Sequence, residues 1–226
     1  MDIKLHYTQQ GSGFPILLLH GNGEDSSYFS GQTGSFSAHF RTIALDTRGH
    51  GGSPRGRQPF TLAQFAEDLK AFLDERQIEK AHLLGFSDGG NIALLFALKY
   101  PHRVEKLILN GANLNPNGVK LGVQLPVVLG YACASLVSLF DKKALAKKEL
   151  LGLMVTQPHI TTQALSKLQV PTLVVAGDKD MIKDSHTRLI ARAIPNAQLC
   201  ILSGSHFVAA EKTDDFNKAV LNFLIP

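Results

Sequence analysis

The sequence predicts an α/β fold: a doubly wound, mostly parallel sheet with helices on both faces. Three observations lead there. Short apolar runs recur along the chain, most of them closed by a turn rich in Gly, Asp or Ser. The runs are apolar throughout rather than alternating, as in strands buried on both faces. Stretches with apolar residues at helical spacing lie between several of them.

The N-terminal stretch Met1 to Tyr7 alternates, with Ile3, Leu5 and Tyr7 on one side, and is expected to be a strand. Ile16 to Leu19 is the first continuous run, ending in His20-Gly21-Asn22-Gly23. Thr42 to Leu45 is the second, closed by Asp46 and the turn-rich stretch Arg48 to Pro54. Leu62, Phe65, Leu69, Phe72 and Leu73 then mark a helix face, and Thr61 with Gln64 offers a capping box at its start. A third strand, Ala81 to Phe86, runs into Ser87-Asp88-Gly89-Gly90 and a helix over Asn91 to Tyr100, stopped by Pro101. Leu107 to Leu109, Leu173 to Ala176 and Leu199 to Leu202 supply three further strands. Leu189, Ile190 and Ala193 set a helical pattern between the last two.

A chain of 226 residues can bury one sizeable α/β core and is short for two, so residues 1–226 are expected to form a single domain. Hydrophobic residues at 44% and charged residues at 19% exclude a disordered chain. The net charge of +4 is scattered, without a Lys/Arg stripe interleaved with aromatics, so nucleic acid is not expected as a partner. The 9 histidines should make the chain more cationic below about pH 6.5. Cys133 and Cys200 show no metal-site spacing and are expected to be free thiols. The N-terminal residues lack the basic start and apolar core of a signal peptide, which points to the cytoplasm.

Residues 112–168 break the strand–helix alternation and are expected to form a short helical lid inserted in the domain. Within them Leu121 to Phe140 is a run of 20 residues without a charge. Its length meets the threshold for a membrane span. Pro126, Gly122 and Gly130 interrupt it, and strands of one sheet flank it, so an apolar lid packed over a pocket is expected and no membrane partner. Asp141 to Glu149 follows as a short helix with a lysine-rich face. Such a face is ordinarily solvated, the alternative being attraction of anionic partners or a membrane surface.

The strongest chemical signal is Gly85-Phe86-Ser87-Asp88-Gly89, a G-x-S-x-G pattern between an apolar strand and a helix. The turn forces the serine into a strained conformation, and the helix behind it aims its N-terminal N–H groups at the site. A serine hydroxyl needs a base to take its proton. His206, just after the last apolar strand, is the candidate, because loops at the carboxyl ends of strands converge on one crevice. Gly177-Asp178-Lys179-Asp180 follows another strand and offers the orienting carboxylate. Asp180 is preferred, then Asp178, then Asp184. Oxyanion donors are expected from the backbone N–H groups of Asp88 and Asn22. The Asp88 side chain could cap its helix or bind a cationic group, the cap being favoured.

These segments, with Asp46-Thr47-Arg48-Gly49-His50-Gly51, stand in the order and context of the α/β-hydrolase superfamily, and the chain resembles its esterase-like branch. The resemblance implies a mostly parallel eight-stranded sheet, a Ser-Asp-His triad and no cofactor or metal. It supports Asp180 as the last residue of a G-x-x-D stretch and leaves His50 as a structural turn residue. The expected reaction is hydrolysis of a small to medium carboxylic ester through an acyl-enzyme. The alternatives are carbon–carbon bond hydrolysis or acyl transfer with the same triad, or a ligand sensor with vestigial turnover. Dehalogenase and epoxide hydrolase chemistry is disfavoured, since those relatives place an aspartate where Ser87 stands.

Overall fold

The computed structural model describes residues 2–225. Its seven strands are β1 (Tyr7–Gln10), β2 (Pro15–Leu19), β3 (Arg41–Leu45), β4 (Ala81–Phe86), β5 (Val104–Asn110), β6 (Thr172–Gly177) and β7 (Ala197–Leu202). They form one sheet in the order β1-β3-β2-β4-β5-β6-β7. Every pairing is parallel except β1 with β3. The doubly wound, mostly parallel sheet is thus as expected, with seven strands among the described residues where the resemblance implies eight.

The difference at the N-terminus has a physical cause. Met1 lies outside the described residues, and residues 2–6 do not pair as a strand. Their polar groups are taken by the loop after β3: Asp2 bonds Arg48 and the backbone N–H of Arg57, and the His6 N–H donates to Ser53 Oγ. Pairing begins only at Tyr7, opposite Leu45.

The described residues also form nine α-helices, the last two following β7: α1 (Ser30–Ser37), α2 (Leu62–Glu75), α3 (Asp88–Lys99), α4 (Leu121–Val137), α5 (Ala144–Thr156), α6 (Thr162–Leu165), α7 (Asp184–Ala193), α8 (Val208–Glu211) and α9 (Thr213–Leu224). The strand period of two divides the buried residues into two cores. Leu17, Leu19, Ile43, Leu83, Leu107 and Val174 face one way, against Phe65 and Phe72 of α2, Phe96 of α3 and Ile190 of α7. Ile16, Leu18, Ala44, Leu84, Ile108 and Val175 face the other, against Phe36 of α1 and Phe216 and Val220 of α9. Thr61 caps α2 by accepting from the Gln64 N–H, but the Gln64 side chain reaches forward to Asp68, so only half of the expected capping box forms.

One ion pair is buried inside this frame. Arg48 is fully buried and holds Asp68 with two bonds of 2.7 Å, from Nε and Nη2, while Asp2 shares Nη2 and also accepts from Nη1. Removing Asp68 leaves the buried guanidinium only Asp2 to balance it. Asp68→Ala is therefore expected to destabilise the fold by about 3 kcal/mol, the lower end for a broken buried pair, read as a fall in the urea midpoint at pH 7.

Two buried histidines make the stability of the fold depend on pH. Burial pushes His20 and His82 down to about 4 from 6.5. Between those values the unfolded chain binds protons that the folded chain refuses, so stability is full above about pH 6.5 and is lost as pH falls towards 4. For His20 the loss amounts to roughly 3 kcal/mol. The His82 ring packs between Phe14 and Phe40, at 4.8 and 5.4 Å. His82→Phe is accordingly expected to flatten the decline in urea midpoint between pH 7 and pH 4.5. An unchanged pH dependence would contradict this account.

Candidate active site

The loops after β2, β4, β6 and β7 carry the candidate residues, as a crevice at the carboxyl ends of the strands requires. Ser87 links β4 directly to α3. Its backbone is left-handed, φ 52° and ψ −119°, and it is the N-cap residue of the helix. The flanking glycines are there for space. A Cβ on Gly85 would lie 2.2 Å from the Gly89 carbonyl oxygen, and one on Gly89 would lie 2.0 Å from that of Leu19. The first turn of α3 can sit against β2 and β4 only without side chains at these two positions.

His206 and Asp180 are brought into contact. Both are 3% exposed, and His206 Nδ1 lies 2.7 Å from Asp180 Oδ1. The same carboxylate oxygen accepts from the Ile182 N–H at 2.8 Å, which fixes the carboxylate within its turn. His206 Nε2 is buried and has no partner among the described residues. The imidazole packs on Phe86, the residue before Ser87, with ring centroids 4.9 Å apart. Gly111, at the end of β5, closes the other side. Its φ is +65°, and a Cβ there would come within 2.7 Å of the imidazole.

The two other carboxylates are engaged elsewhere. Asp178 Oδ1 accepts from the Gly204 N–H at an exposed position, and Asp184 pairs with Arg188 in the first turn of α7. His20 is also occupied: Nδ1 lies 2.7 Å from the Gly21 carbonyl oxygen, and Nε2 accepts from the Thr47 N–H. His50 bonds within its own turn, to Thr47 Oγ1 and the Arg48 carbonyl oxygen.

Neither the Asn22 nor the Asp88 backbone N–H donates to a backbone acceptor among the described residues. Their side chains meet, however. Asn22 Nδ2 donates to Asp88 Oδ2 at 2.9 Å and to the Leu150 carbonyl oxygen of α5 at 2.8 Å. Asp88 Oδ1 accepts from Asn91 Nδ2, which also donates to Asn113 Oδ1. The Asp88 carboxylate thus braces the turn after β2, correcting the expectation of a helix cap or an open cation site. Burial pushes its pKa up, against the lowering effect of the Asn22 and Asn91 bonds. Glu24, in the turn after β2, is half-buried, its pKa likewise raised by burial, and accepts from the Gly21 N–H.

The sequence patterns around Asn113 and Gly111 do not mark them as site residues. Asn91 does carry a signal, a polar residue on the buried side of an otherwise apolar helix. Among the described residues no cluster of three or more His, Cys, Asp or Glu side chains could hold a metal ion, and Cys133 and Cys200 are free thiols.

A family model described as the alpha/beta hydrolase fold matches residues 15–133. The chain belongs to that family. It is 29% identical over 265 residues to the 2-hydroxy-6-oxononadienedioate/2-hydroxy-6-oxononatrienedioate hydrolase 1 of Dechloromonas aromatica, covering 99% of this chain and 91% of that one. Among solved structures it is similar to the meta-cleavage product hydrolase of Pseudomonas fluorescens IP01, with a TM-score of 0.81 and 25% identity, over 98% of this chain and 94% of that one. The enol-lactonase of Burkholderia xenovorans LB400 shares the fold, with a TM-score of 0.83, 24% identity and coverage of 99% and 97%.

Proposed function

We propose that this chain is a serine hydrolase cleaving a small to medium carboxylic ester. Ser87 attacks the carbonyl carbon. His206 Nε2 takes the hydroxyl proton and returns it to the leaving alcohol, and Asp180 holds Nδ1 protonated. The backbone N–H groups of Asn22 and Asp88 stabilise the oxyanion. Water, deprotonated by the same imidazole, then releases the acid and restores the serine. In this reading residues 1–226 act as one domain, and 112–168 form the lid that sets substrate choice. The observation that carries it is the buried His206–Asp180 pair, with Nε2 unpartnered and the ring packed against the residue before a strained Ser87. A base oriented in this way is what a serine nucleophile requires.

Carbon–carbon bond hydrolysis is the second reading, favoured by the names of two of the proteins to which the chain is similar. Fold alone does not separate the two chemistries. The test compares turnover of p-nitrophenyl esters of increasing acyl length with that of a 2-hydroxy-6-oxo-dienoate, with Ser87→Ala as control. Turnover of esters that depends on Ser87, with little on the dienoate, supports the first reading. The opposite preference establishes the second, and a single stoichiometric turnover on both would overturn each in favour of a sensor.

A further inference from the structure

Helix α4 is apolar nearly all round, yet one of its faces is turned to solvent. At 100° per residue, Leu121, Leu125, Val128, Leu129, Ala132 and Leu136 share an arc of about 100°. That arc faces outward: Leu121 is 74% exposed, Leu129 62% and Leu136 65%. Beyond the helix end, Leu139 is 72% and Phe140 92% exposed. The few polar side chains lie outside that arc, on the side packed against α5 together with Val123, Val127 and Ala134. Gln124 donates to the Met154 carbonyl oxygen of α5, and Ser135 and Ser138 are only half-exposed. The sequence suggests a lid with Leu125, Val128 and Leu136 turned onto a pocket. Those side chains are instead exposed.

We propose that this face docks on an anionic phospholipid surface, with α4 lying in the plane of the interface. Large contiguous apolar patches on a protein surface mark interaction sites, and here charge selects the partner. Lys120 stands at one end of α4, and Lys142, Lys143 and Lys147 at the other. All four are exposed, and none forms an ion pair among the described residues. Of the nearby acids, Glu149 is neutralised by Arg55, leaving Asp141.

The helix has 17 residues, a length of about 25 Å. No helix of the described residues is long and apolar enough to cross a membrane. An apolar stripe with basic flanks, held along its other side by α5, fits insertion to the depth of the headgroup–acyl boundary. A second copy fits less well. A two-fold pairing that stacks α4 antiparallel on α4 sets Lys120 against the partner copy's basic end, and a parallel pairing sets like ends together. Either way cations face cations. This inference is independent of the proposed chemistry at Ser87.

The test is co-sedimentation with vesicles of phosphatidylcholine containing about 30 mol % phosphatidylglycerol, and with pure phosphatidylcholine vesicles, at low and high salt. The protein should pellet with the anionic vesicles at low salt and hardly at all with the neutral ones. Each lysine near an anionic surface contributes about fivefold. The variant Lys142→Gln, Lys143→Gln, Lys147→Gln should therefore bind about 100-fold more weakly. Leu129→Glu with Leu136→Glu should abolish binding, and Phe140→Ser should weaken it. All of these side chains are substantially exposed, so an unchanged melting temperature verifies that the variants fold. Failure of the wild type to pellet, equal pelleting with neutral vesicles, or full binding by the Leu129/Leu136 variant would overturn the proposal. So would a dimer in sedimentation velocity that the Leu129/Leu136 variant dissolves while vesicles bind neither protein.

Discussion

Ser87→Ala and His206→Ala are each expected to lower kcat at least about 10³-fold on any ester the enzyme turns over. The two losses should not add, because a hydroxyl without a base and a base without a hydroxyl fail at the same proton transfer. The double variant should be nearly as slow as either single one, with residual rate left to the oxyanion donors. Their stabilities should differ. Ser87 is half-buried, and its left-handed backbone strains alanine as it strains serine, so Ser87→Ala should melt close to the wild type. His206→Ala removes a buried ring packed on Phe86 and takes away the partner of a buried carboxylate, so its melting temperature should fall. Activity of His206→Ala is therefore to be compared where both proteins remain folded. A phosphonate probe should label Ser87 and no other serine in the wild type. An active Ser87→Ala protein, or labelling elsewhere, would remove Ser87 from the mechanism.

What the sequence shows of this molecule is what local pattern can carry. Strands β2, β4 and β6 are continuous apolar runs because both faces of each are covered, β3 and β5 are so over their carboxyl ends, and such runs stand out whatever surrounds them. Convergence of Ser87, Asp180 and His206 on one end of the sheet is legible for a similar reason, since parallel strands all deliver their loops to the same edge. Contacts between distant residues leave no such trace. Asn22 bonds Leu150 across 128 positions, and Arg48 is buried only because Asp68 and Asp2 meet it. Nothing in the neighbourhood of either residue announces these partners. The direction of α4 was hidden for another reason. A run without charges has no polar face to mark its outside, so core, lid and exposed surface look alike until packing against α5 is known. Gly111 is the same kind of case: its missing side chain matters because of the His206 ring, nearly a hundred residues further along the chain.

Asp180→Asn is expected to reduce kcat by about 10⁴-fold, against less than about threefold for Asp178→Asn or Asp184→Asn. The argument is one of proton direction. Asp180 Oδ1 accepts both from the Ile182 N–H and from His206 Nδ1, so the imidazole proton is held on Nδ1 and the lone pair is left on Nε2. An asparagine keeps the shape of the carboxylate but not its charge. With its oxygen at the Oδ1 position both bonds survive, but no negative charge stabilises the imidazolium formed when Nε2 takes the Ser87 proton. With its NH2 there, at the expense of the Ile182 bond, the ring carries its proton on Nε2 and cannot accept one. Because the shape is kept, the variant should fold and bind substrate with a KM near that of the wild type. The loss should therefore fall on kcat, which a mere disturbance of packing would not achieve. The other two carboxylates have no such leverage. An amide oxygen at 178 can still accept from the Gly204 N–H, and at 184 the change removes only an exposed, solvent-screened pair with Arg188. Measuring kcat and KM for the three variants on one ester decides the matter. If Asp178→Asn proves the most damaging, the orienting carboxylate is Asp178 and the loop after β6 turns differently during catalysis.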